Sequence, residues 1–186
     1  MLTQTQASIG DNLNYPFVLL ARRLIQMGHR VATIDTDNIQ KFDAVIFVEF
    51  PGAHNPYFKQ LKKSGKNLYL VLLESIAIKP DNYDTKNHAC FKKIFTWADN
   101  LVDGKKYFKI QYSHYIPDQI DFNPQQKNKL CILISSNKSA SVPNELYTER
   151  IKAIRWFEKN YPQDFDLFGK GWDRHHFEGT VLGINI

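Results

Sequence analysis

FDAVIFVEFPGAHNPYFKQLKKSGKNLYLVLLE (42–74) holds two apolar runs, AVIFVE and LYLVLLE, on either side of a polar stretch that predicts a helix around 55–64. Short runs rich in Val, Ile and Leu, separated by helical segments, mark strands of a parallel sheet covered on both faces. The fold class expected is therefore α/β. Upstream, RVATID (30–35) predicts another strand. Before it, YPFVLLARRLIQMG (15–28) predicts an amphipathic helix, with Pro16 at a first helical position, a stripe of Phe17, Leu20, Leu24 and Met27, and Gly28 as the stop. Downstream, 86–93 predicts a helix and IFTW (94–97) a strand.

From Tyr107 to Asn128 the periodicity fades, Pro117 and Pro124 intervene, and the stretch ends polar with NPQQKNK, as a linker would. Two domains are expected, 1–122 and 123–186. The second restarts with a strand LCILIS (130–135), a loop SNKSASVPNE (136–145), a helix of about 145–160 and a strand FDLFG (165–169). About 60 residues with two strands do not close a doubly wound domain. The terminal FEGTVLGINI (177–186) is thus expected to be the end of a partial domain, truncated or completed by a partner.

The composition fits a globular protein: 186 residues, 43% apolar, 23% charged and 13% aromatic, which excludes disorder and collagen-like repeats. No apolar run reaches the roughly 18 residues of a membrane span. The first twenty residues have no basic region followed by an apolar stretch, so a cytoplasmic location is expected. The formal net charge of +5 suits an anionic ligand or the inner face of an acidic membrane. No basic arm stands out, so nucleic acid is not an expected partner. Cys90 and Cys131 lie far apart without a CxxC neighbour and are expected to be small buried hydrophobes.

Ligands of open parallel sheets bind outside the carboxyl ends of the strands, which singles out Glu49 and Glu74, each directly after an apolar run. A carboxylate partly desolvated at such a rim suits a general base; alternatively each caps a turn or pairs with a lysine. In the helix of 145–160, Leu146, Tyr147, Ile151, Ile154, Phe157 and Tyr161 form an apolar stripe at 100° per residue, and Arg150 falls inside it. A guanidinium there needs an anion, and a diphosphate arriving at the preceding loop is a natural partner. The other reading has Arg150 snorkelling past Tyr147 or pairing with Glu74 or Asp166. DTD (35–37) can be read as two carboxylates for a divalent cation, or as a strand end followed by a turn or cap, which is the favoured reading. The six histidines, with the pair His175-His176, show no ligand spacing, and no metal site is expected.

The stretches VLLESIAIKPDNYD (71–84), KKIFTWADNLVD (92–103) and KLCILISSNKSASVPNELYTERIKAIRWFEKNYPQDFDLFGKGW (129–172) resemble the family 10 glycosyltransferases, the α-1,3/1,4-fucosyltransferases, above all bacterial ones. The resemblance covers roughly residues 15–182, and its most specific part is Ser136-Asn137, the helix Arg150 and Asp166 to Gly169. It implies a GT-B fold, two Rossmann-like domains, with a glycan acceptor mainly on the first and GDP-fucose mainly on the second. The family's E-S element falls on Glu74-Ser75, making Glu74 the expected base, with Ser75 and Glu49 on the acceptor side. Arg150, with Ser136, Asn137 and Lys138, falls on the donor side. No obligatory metal or cofactor is implied beyond the donor substrate itself. Two donor-binding elements that follow in the family lie past Ile186, and the family's opening strand is missing from the N-terminus, so the chain is expected to be a fragment. Without the resemblance, the same residues describe a non-catalytic doubly wound module that binds a nucleotide or a protein.

Overall fold

The computed structural model describes residues 12–172 apart from 121, 122, 125 and 126. The expected domain boundary at 122/123, the His175-His176 pair and the 177–186 segment fall wholly or partly outside the described residues. The chain divides into two compact units, Met1–Asp118 and Gln119–Ile186.

The first unit is a four-stranded, wholly parallel sheet in the order β1 (Ala44–Val48), β2 (Asn67–Leu72), β3 (Lys93–Thr96), β4 (Tyr107–Lys109). The register is set by the period-2 alternation: Val45 pairs with Leu68, Leu70 with Ile94 and Phe95 with Phe108. Leu68, Leu70, Leu72 and Ile94 are fully buried on one face, beneath α2 (Pro56–Lys62). Pro56 begins that helix, and the Asn55 side chain accepts from the Phe58 N–H at 3.0 Å, so the cap and the missing proline donor fix its start. Phe58 and Leu61 then reach the core, where Phe58 stacks on Phe91 at 5.7 Å and Phe47 meets both edge-on.

α1 (Tyr15–Gln26) and the edge strand β1 line a common cavity. Here the structure departs from the sequence reading in two ways. RVATID (30–35) forms no strand, although it lies across from β1. Residues 29–35, β1 and Phe17, Leu20 and Leu24 of α1 line one cavity of about 680 Å³, and no backbone hydrogen bond joins residues 29–35 to β1. Local bonds shape the segment instead: Thr36 donates N–H and hydroxyl to the Thr33 carbonyl, and Arg30 pairs with Asp37. The stripe of α1 is also rotated, with Val18 and Ala21 buried while Leu20 and Met27 are exposed.

Two further expectations fail for short-range reasons. Residues 86–93 are not a helix; Pro80–Asn82 and Thr85–His88 are single 3₁₀ turns, the second capped by Asp84 on the Lys86 N–H. The supposed linker opens with β4, whose approach is fixed by Asp103, a carboxylate accepting the N–H groups of Lys105, Lys106 and Tyr107 at 2.8–2.9 Å.

The second unit pairs β5 (Cys131–Ile134) with β6 (Phe165–Phe168) in parallel, with α3 (Tyr147–Asn160) between them in sequence. Ile154, Phe165 and Leu167 are its buried core, and Ile151, Phe157, Cys131 and Leu133 pack on it. Leu146 leaves the predicted stripe, standing 71% exposed at the start of α3. Both cysteines are free and half-buried, and burial raises the Cys90 thiol pKa. Both units are thus α/β with parallel strands, as Rossmann-like units are. No described helix is long and apolar enough to cross a membrane.

Candidate active site

At the carboxyl end of the first sheet, Glu49 is the residue after β1 and has φ +67°. A left-handed backbone costs a residue with a Cβ about 1–2 kcal/mol, so the surroundings must hold it. Its N–H continues the ladder to the Val71 carbonyl at 2.8 Å. One carboxylate oxygen, Oε1, accepts from the backbone N–H groups of Leu73 and Glu74, both at 2.9 Å. The other, Oε2, accepts from the Asn82 amide. Asn82 is itself fully buried, and its Oδ1 accepts from the Phe50 N–H at 2.9 Å.

The two strand-end carboxylates therefore differ in kind. Glu49 is committed to backbone and amide donors, as in the reading that has it hold a turn. Glu74, two residues past β2, is exposed, and its carboxylate makes no hydrogen bond or ion pair among the described residues. Its backbone, by contrast, is held on both sides, since the Tyr83 hydroxyl donates to its carbonyl at 3.3 Å. Ser75 follows in a turn, its carbonyl accepting from the Ile78 and Lys79 N–H groups.

Two aromatic side chains bond the backbone at Leu73 and Glu74. Trp97, directly after β3, donates its indole N–H to the Leu73 carbonyl at 2.8 Å and as a residue is 38% exposed. Lys109 anchors Trp97 through its carbonyl at 2.6 Å and pairs with Asp99. Burial pushes the Tyr112 phenol up, and the negative charges of Glu74 and then Glu49 add to the shift. At such a rim an exposed carboxylate can accept a proton from a hydroxyl, and a partly exposed indole can offer stacking surface to a sugar. Sequence reasoning passed over Asn82, Tyr83, Trp97 and Tyr112. The signal available was positional, a polar PDNY turn after one strand and a Trp ending the next.

In the second unit, the loop after β5 is laced to the loop after β6. Ser135 N–H donates to the Phe168 carbonyl at 2.8 Å, Asn137 N–H to Lys170 at 2.8 Å, the Asn137 side chain to Gly171 at 3.1 Å and the Trp172 indole to Ser135 at 2.6 Å. Gly169 makes this possible: a Cβ there would lie 1.9 Å from the Ser135 carbonyl oxygen, and its φ is +137°. Arg150, in the first turn of α3, lies over the Tyr147 ring at 5.1 Å and donates to the Ser136 carbonyl at 3.4 Å. Asp166 pairs with Lys129 at 3.2 Å instead. A guanidinium has five donors, and Arg150 makes this single long bond among the described residues, so most of its fork is available to an anion. Glu145, at the helix start, accepts from the Thr148 hydroxyl and N–H; the hydroxyl is the main cause holding its carboxyl below the usual range. The structure thus brings Ser136 to Arg150 and commits Asn137 to the neighbouring loop, while Lys138 is exposed.

Asp37 of the DTD stretch is a turn residue. It pairs with Arg30 and Lys41 and accepts from the Asn38 N–H at 2.7 Å, the main cause lowering its pKa. Among the described residues no group of three His, Cys, Asp or Glu side chains could hold a metal ion. Compared with family models, curated proteins and solved structures, the chain matches none.

Proposed function

We propose that the chain is a fucosyltransferase-like glycosyltransferase of the GT-B type, transferring fucose from GDP-fucose to a hydroxyl of a glycan acceptor. The observation that carries this reading is Glu74, an exposed and unpaired carboxylate at the carboxyl edge of a parallel sheet, on a backbone held by the Tyr83 hydroxyl and, one residue earlier, by the partly exposed Trp97 indole. Arg150 with its available donors beside Ser136 adds support on the donor side.

The reaction is a single displacement. Glu74 takes the proton of the acceptor hydroxyl as that oxygen bonds to the anomeric carbon of fucose. The bond from that carbon to the diphosphate oxygen breaks, and GDP leaves with the electron pair. Arg150 and the loop of Ser136, Asn137 and Lys138 stabilise the charge that develops on the departing diphosphate. Inversion at the anomeric carbon follows from one displacement, with no sugar bound covalently to the enzyme. Membrane-anchored glycans at the inner face of the membrane suit the chain's +5 charge as acceptors.

Proton NMR of the chain with GDP-fucose and a set of oligosaccharide acceptors tests the proposal. The donor's anomeric signal should give way to that of a fucosyl linkage of opposite configuration, with GDP accumulating. Retained configuration contradicts the single displacement. Binding of GDP-fucose without conversion by any acceptor favours the non-catalytic nucleotide-binding module instead.

A further inference from the structure

Glu49 and Asn82 stand out as polar side chains near the proposed base whose bonding the transfer reaction does not use. Asn82 is wholly buried, so each of its amide atoms needs a partner, and the partners fix which way it faces. Its Oδ1 is held by the Phe50 N–H, a donor. Its Nδ2 must therefore meet an acceptor, and it meets Glu49 Oε2. Glu49 Oε1 in turn faces two donors, the N–H groups of Leu73 and Glu74. The order of polarity along the chain of bonds, from Phe50 through Asn82 and Glu49 to the Glu74 backbone, admits no flip. The left-handed backbone of Glu49 shows that the surrounding bonds outweigh a local preference.

We infer that Glu49 and Asn82 are positioning residues, a brace that sets the backbone of Leu73 and Glu74 and through it the place of the Glu74 carboxylate. The part concerning transfer rests on the reading of Glu74 as the base. The brace itself does not.

An exchange of the two side-chain types tests it in the full chain. In Glu49→Gln, the new amide turns a donor either toward the Asn82 amide, losing one bond, or toward the two backbone N–H groups, losing both of theirs. In Asn82→Asp, two carboxylates oppose each other. In the double variant, the amide oxygen now at position 49 accepts from Leu73 and Glu74, and the amide nitrogen donates to the new carboxylate at position 82. The second oxygen of that carboxylate accepts from Phe50, so every bond is remade with the polarity of one link reversed. Each single variant should speed amide exchange at Leu73 and Glu74 by about 10-fold or more, and the double variant should restore most of that protection. The Leu70 amide, in the buried middle of β2, reports global stability in the same experiment. The change at 73 and 74 should exceed that at 70.

In transfer assays the single variants should lose about 10²-fold in kcat with KM for GDP-fucose little changed, and the double variant should recover it. Unchanged exchange at 73 and 74 in the single variants, or a double variant no better than the worse single one, overturns the brace. If exchange follows the expected pattern while no variant and no wild-type chain transfers fucose, the brace stands and the base assignment falls.

Discussion

Glu74→Gln is expected to lower fucose transfer by about 10²–10⁴-fold, the usual range for removing a general base, while GDP-fucose binds as before. Gln keeps the shape of Glu and its hydrogen-bonding reach but cannot take a proton from an attacking hydroxyl. The exposed position of Glu74 means that little stability should change. Steady-state kinetics with KM for both substrates separates the outcomes: a fall in kcat alone supports the base, and full turnover removes it. Glu49→Gln should differ from Glu74→Gln in one respect, because only the former disturbs the N–H groups of residues 73 and 74.

Gly169→Ala is expected to destabilise the second unit by at least about 2 kcal/mol, since a left-handed backbone alone costs about 1–2 kcal/mol and the methyl group also collides with backbone. That collision, a Cβ 1.9 Å from the Ser135 carbonyl oxygen, cannot be relieved by a side-chain rotation. The loops after β5 and β6 must separate, and with them the Ser136 carbonyl that Arg150 meets. Gly171→Ala is the matched comparison. Its φ is +86°, but its nearest neighbour is the Asn137 Cβ at 3.4 Å, so it should carry only the backbone cost of about 1 kcal/mol. Denaturant unfolding followed by tryptophan fluorescence should rank Gly169→Ala well below Gly171→Ala. Equal stability of the two variants would mean that the close approach of residues 135 and 169 is not what holds these loops.

The strands AVIFV and LYLVL were legible because each is a short continuous apolar run, and they pair with each other in the sheet. RVATID has the same look, yet a strand needs a partner edge at ladder distance, and no backbone hydrogen bond joins residues 29–35 to β1. Composition carries no record of that distance. β4 was hidden for another reason: three residues are too few to show a period. At the candidate site, the strand-end rule pointed to Glu74 and Glu49 alike. What separates them lies in bonds to residues 24 to 33 positions away and in a φ of +67°, neither of which a local pattern can express. Arg150 was visible from its place inside an apolar stripe. Its place over the Tyr147 ring was among the alternatives the stripe raised, and its bond to Ser136 was not.

The donor side is where the account can be tested with least ambiguity, by calorimetric titration of GDP into the wild-type chain and into Arg150→Ala. The account predicts that GDP binds the wild type and that losing the charged hydrogen bonds of Arg150 weakens it by about 1.5–3 kcal/mol, roughly 10–10²-fold in Kd, with Arg150→Lys recovering only part. A wild-type chain that does not bind GDP, or an Arg150→Ala protein that binds it as tightly as the wild type, would contradict it.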